Sequence, residues 1–154
     1  MHDEVSAVVD APPQVVFALV SDIRRIGEFS PETFEAEWLD GADGPAAGAR
    51  FRGHVKRNGR GPVYWTNCTV TSYEPDREFA FTVDFAGSPV NTWGYRLRPD
   101  GQKTVLTEWF RLRPTLLNRL YWAAAGRWRG RTNRRGMAET IARIKAVAEA
   151  GGRG

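Results

Sequence analysis

Glu108 is the residue whose type and position most invite chemistry. It alternates in step with Leu106, Phe110 and Leu112, while Thr107, Trp109 and Arg111 take the other parity. In a strand, that spacing puts a carboxyl among apolar side chains on one face. Burying an unpartnered carboxyl is costly and raises its pKa, which is how a general acid or base active near neutrality arises. The same carboxyl could instead pair with an arginine or a backbone donor at the rim of the apolar face, as structural glue. Tyr95 is the second candidate, a phenol able to polarise a carbonyl or enol oxygen. Together Glu108 and Tyr95 form the candidate catalytic pair.

The neighbouring segments repeat the alternation. Phe79, Phe81 and Phe85 share one parity, Trp93 and Tyr95 share another, and Cys68 and Val70 should join them from the preceding strand. Aromatics with one phenol and one thiol read either as a ligand-lining wall or as a filled core. The candidate ligand-binding set is Phe51, Cys68, Val70, Phe79, Phe81, Trp93, Tyr95, Leu106 and Phe110, with Met137 and Ile141 from a helix. Trp65 and Trp109 fall on the opposite parity, through bulges, flanking structure or an interface. His54, between Arg52 and Lys56, reads as a solvated surface residue, and His2 lies in a terminus expected to fray. No metal-ligand spacing, no Ser-His-acid set and no phosphate-cradling loop is present, so neither a metal nor a cofactor is expected. A single cysteine excludes an internal disulfide. Asn67-Cys68-Thr69 matches a glycosylation acceptor by chance, inside a strand.

These residues need elements to position them. Residues 4–9 alternate as a first strand. Asp10-Ala11-Pro12-Pro13 then opens a helix, with Asp10 or Ala11 as cap, and the helix breaks into two pieces between 12 and 29. From 32 to 113 period-two patterning gives six strands, with turn signals at Asp40-Gly41, Asn58-Gly59, Pro75-Asp76, Gly87-Ser88-Pro89 and Asp100-Gly101. A short helical stripe over Leu116, Leu120 and Ala124 is interrupted by Gly126 and Gly130. Thr132 or Asn133 caps a last helix carrying Met137, Ile141, Ile144 and Ala148 on one face. The expected fold is α+β: a curved antiparallel sheet of about seven strands that grips this long C-terminal helix. Residues 1–150 make one domain, and 151–154 a disordered tail.

The chain has 154 residues, 42% hydrophobic and 26% charged, which excludes whole-chain disorder. Its longest apolar run, Val15 to Val20, is far too short to span a bilayer. With no secretory pattern at its start, it reads as cytoplasmic. Charge is lopsided: residues 1–77 hold 8 Lys/Arg against 12 Asp/Glu, and residues 78–154 hold 14 against 6. Much of the excess lies in 111–135, where eight arginines and no acid are interleaved with Tyr121, Trp122 and Trp128. That segment reads as a solvated arginine-rich stretch or as an anionic-membrane-surface element. RNA ranks lower, since no recognised nucleic-acid motif accompanies the charge.

The strings APPQVVFALVSDIRRIGEFSPE, AEWLDG, GARFRGHVKRNG, CTVTSYEPDREFAF, TWGYRLRPDG and NRRGMAETIARIKAVAE resemble the START-like or SRPBCC superfamily, in its bacterial polyketide cyclase/dehydrase-like branch. The resemblance implies a helix-grip fold and a cavity for lipids, polyketides or other apolar metabolites. It supplies no catalytic motif that maps onto this chain. Three readings follow: a carrier or sensor of a hydrophobic small molecule, a polyketide cyclase or dehydratase using Glu108, or a peripheral membrane or RNA binder using 111–135.

Overall fold

Alternation dominates the middle of the chain, and the computed structural model, which describes residues 1–151, turns it into one antiparallel sheet. Its strands are β1 (His2–Val9), β2 (Thr33–Trp38), β3 (Arg50–Lys56), β4 (Val63–Glu74), β5 (Glu78–Phe85), β6 (Ser88–Asp100) and β7 (Lys103–Leu112). They lie in the order β1-β7-β6-β5-β4-β3-β2. Between β1 and β2 run α1 (Pro13–Ser21), a 3-10 turn (Ile23–Arg25) and α2 (Ile26–Phe29), the broken helix expected there. Its cap is Pro12 rather than Asp10 or Ala11, with Pro13 in the first turn where a missing N–H costs nothing. The chain ends in α3 (Leu116–Gly151), which crosses the inner face of the sheet. Of the tail expected at 151–154, Gly151 closes α3 and 152–154 lie outside the described residues.

Two expectations about α3 are corrected. Gly126 and Gly130 do not interrupt it: it runs unbroken for 36 residues, about 54 Å at 1.5 Å per residue. A single helical glycine costs only about 1 kcal/mol, and here the helix gains from passing close to the sheet at Gly130. A Cβ there would stand 4.0 Å from Asp3 Oδ2 on β1, and the next turn supplies Arg134, whose Nε donates to Asp3 Oδ1 at 3.0 Å. Thr132 and Asn133 are therefore mid-helix, and the Thr132 hydroxyl donates back to the Trp128 carbonyl at 3.2 Å. The true cap is Thr115, behind Pro114, whose Oγ1 accepts from the Asn118 N–H at 3.2 Å.

Bulges decide which side chains face inward. Val83 pairs with Asn91 and Asp84 with Pro89, so the register skips Val90 and the extra residue lies in β6, while Phe85, expected inside, is 76% exposed at the end of β5. The β5–β6 hairpin follows at once, with Ala86 and Gly87 both at positive φ (51° and 78°), the signature of a two-residue type I′ turn. Trp65 and Trp109 keep their outward parity and find cover there. Trp65 stacks on His54 at 4.1 Å with the Arg52 guanidinium 4.3 Å from its ring centre. His54 is thus not freely solvated: Phe34 packs on it at 4.4 Å and its Nδ1 lies 2.7 Å from Glu35 Oε1.

Trp109 is buried on the outer face because its partner in the ladder, Gly94, has no side chain. The indole lies across that gap, with Arg96 and Arg111 guanidiniums 5.9 and 5.7 Å from its ring centre. A Cβ at position 94 would meet Trp109 Cε2 at 2.3 Å, an overlap the ring must move to relieve. Gly94→Ala should therefore destabilise the fold by about 1–3 kcal/mol in urea denaturation. The loss should shrink when Trp109→Leu is added, and an undiminished loss would disprove the steric account.

Candidate functional site

The inner face of the sheet is covered unevenly. At one end α1 and the last turns of α3 pack on it, burying Val9, Val16, Val70, Phe79, Leu106, Ile141, Ile144 and Ala148 in a continuous core. Every buried residue of α3 lies at or after Met137. Ahead of it the helix is arginine-rich and seats no side chain in the core. The inner face at this end is left open, as a cavity of about 870 Å³, within the size range of small-molecule sites.

Of the candidate ligand-binding residues, Phe51, Cys68, Phe81, Trp93, Tyr95, Phe110 and Met137 line this cavity, and so does Glu108. Val70, Phe79, Leu106 and Ile141 do not. They share the inward parity but sit at the packed end, where α1 and the end of α3 fill the space. The cavity also takes residues that the sequence did not single out for it. Thr66, Val83, Val90, Asn91, Leu112 and Asn118 line it, with Trp122 and Arg129 from the first half of α3. Their positions near strand ends and on the undocked half of the helix are what mark them, and that requires knowing where α3 begins.

Glu108 faces Tyr95 directly across the β6–β7 ladder and Val5 across β1–β7. It is 5% exposed. The Tyr95 hydroxyl donates to Glu108 Oε1 at 3.4 Å, long for an O–H···O bond. Among the described residues, Glu108 Oε2 is buried with no protein partner, as is Asn91 Oδ1 in the same wall. Burial pushes the Glu108 carboxyl well above its ordinary value of 4.5, opposed only by the Tyr95 hydroxyl. Burial also raises the Tyr95 phenol, and the neighbouring carboxyl adds to the shift. The Cys68 thiol, pushed up to about 12 chiefly by burial, is held as an unreactive thiol. The site therefore offers a neutral acid and a neutral phenol in an apolar wall. No His/Cys/Asp/Glu cluster able to hold a metal occurs among the described residues.

A sheet wrapped on one long helix, with a cavity between them, defines a helix-grip protein. The model of the family described as "polyketide cyclase / dehydrase and lipid transport" matches residues 2–149, and the chain belongs to that family. The chain is similar to a polyketide-cyclase-like protein of Corynebacterium glutamicum, 32% identical, with 96% of this chain and 91% of that one covered at a TM-score of 0.65. It shares its fold with a Deinococcus radiodurans protein at 16% identity, TM-score 0.68 and 98% coverage of both chains. The di-domain ARO/CYC StfQ of the steffimycin biosynthetic pathway is 17% identical at TM-score 0.69, with 98% of this chain and 46% of that one covered. No curated protein matches the chain. Among the described residues no helix is long and apolar enough to cross a membrane.

The unfolded chain releases the Glu108 proton near 4.5, while the folded chain holds it to higher pH. Above about pH 4.5 the carboxyl therefore subtracts progressively more from stability, until it ionises in the fold. Glu108→Gln, similar in shape and uncharged, removes this dependence. Its stability advantage over the parent should be small at pH 4.5 and grow by up to about 1.4 kcal/mol per pH unit, read from urea denaturation at several pH values. A pH-independent difference would show that burial does not hold the proton.

Proposed function

We propose that this chain binds a lipid- or polyketide-like small molecule in the cavity between the sheet and α3, as a carrier or sensor. The observation that carries this reading is the roughly 870 Å³ cavity, with an aromatic wall of Phe51, Phe81, Trp93 and Phe110 and the orphaned Glu108 Oε2 beside it. Most of such a ligand would be buried against Phe51, Phe81, Trp93 and Phe110. A protonated Glu108 would donate one hydrogen bond to a ligand carbonyl or hydroxyl oxygen, with Asn91 as a second polar contact. A site built this way favours a largely apolar molecule with one or two oxygen functions to meet Glu108 and Asn91.

Native mass spectrometry of the protein as isolated, with a thermal-shift screen of fatty acids and fused-ring polyketides, tests the reading. A ligand at about 100 times its Kd should raise Tm by about 5–10 °C. Val83→Trp, which narrows the cavity, should abolish the shift. A protein isolated empty and stabilised by no member of the panel would sink it.

A second reading is supported by the Tyr95–Glu108 pair itself. A carboxyl held protonated in an apolar wall is equipped to act as a general acid in a cyclisation or dehydration, with Tyr95 polarising a carbonyl or enol oxygen. In that case Glu108→Gln should abolish turnover of a polyketide substrate while binding is retained. Unchanged turnover would remove Glu108 from any such mechanism.

A further inference from the structure

We infer that the outward face of the first half of α3 docks on an anionic lipid surface, beside the cavity mouth. From Leu116 to Gly136 the helix buries no side chain, and Leu116, Leu117, Leu120 and Trp128 are between 65% and 79% exposed. They are not scattered. At 3.6 residues per turn they fall, with Ala124, on one side of the helix, and the opposite side, carrying Trp122 and Arg129, lines the cavity.

The outward face changes character along its length. Its first turns present leucines. Arg127 and Arg131 follow on the same side, with Trp128 between them, about 15 Å further along. No acid occurs between residues 111 and 138, and Arg119, Arg127 and Arg131 form no ion pair among the described residues. An apolar tip followed by a Trp–Arg collar matches the layering of a membrane interface. Leucines enter the acyl boundary, indole sits at the headgroups, and guanidinium pairs with lipid phosphate.

Charge selects this occupant over the others. A second copy bringing the same face would set arginines against arginines. RNA would engage the guanidiniums and leave the exposed leucines in water. Since the other side of the same helical segment walls the cavity, docking here would bring the mouth to the lipid.

The full chain should co-sediment with vesicles of equimolar phosphatidylcholine and phosphatidylglycerol, less so as salt is raised, and not with phosphatidylcholine alone. Leu117→Ser with Leu120→Ser, and separately Arg127→Glu with Arg131→Glu, should each lower vesicle binding by at least about tenfold with thermal melting unchanged. Quenching of tryptophan fluorescence by brominated lipid should fall in Trp128→Phe. Absence of vesicle binding would overturn the inference, as would binding that both double variants retain. So would a dimer that the leucine variants dissociate, or RNA binding by a protein that ignores vesicles.

Discussion

The sheet has one apolar inner face, and the chain supplies one long helix of which only the second half packs side chains into the core on it. Everything else in the molecule follows from that mismatch. Met137, Ile141, Ile144 and Ala148 close one end of the face with α1, where Val70, Phe79 and Leu106 become core. The arginine-rich half of α3 cannot enter a core, so the other end of the same face remains open. Core and cavity are the two ends of one surface. The Asp3–Arg134 ion pair, beside the close approach at Gly130, marks where one becomes the other.

Glu108 gains its properties from lying just on the open side of that boundary. Two residues earlier on its strand, Leu106 is fully enclosed, and two later Phe110 lines the cavity. A carboxyl at the position of Leu106 would be an uncompensated defect in the core. At 108 it is still out of contact with bulk water, yet it borders a space that a ligand can fill. Its 3.4 Å bond to Tyr95 and its oxygen without a partner among the described residues leave hydrogen-bonding capacity beside that space.

The sheet was legible from residues 32 to 113 because period-two alternation survives almost intact in β3, β4, β6 and β7. It failed at Phe85, which closes β5 at the hairpin, because alternation does not say where a strand runs out beyond the covered part of its face. Alternation also names the face of a sheet without saying how far along that face a residue sits. Phe81 and Phe79 therefore looked alike, although one lines the cavity and the other the core. The continuity of α3 was hidden by Gly126 and Gly130, residues that weaken a helix too little to end it when Thr115 caps it and Asp3 grips its middle. Reading a glycine as a stop made the helix half its true length, and concealed that its first half is the missing wall.

The division of α3 also has a kinetic meaning. Segments with few buried contacts open at a free-energy cost far below that of global unfolding. The wall contributed by Trp122 and Arg129 belongs to such a segment, whereas Met137 and Ile141 belong to the part that holds the fold. Widening the cavity therefore requires only that the first turns of the helix lift or fray, with the sheet and its core undisturbed. That wall can open on the timescale of a local motion while the domain as a whole stays folded.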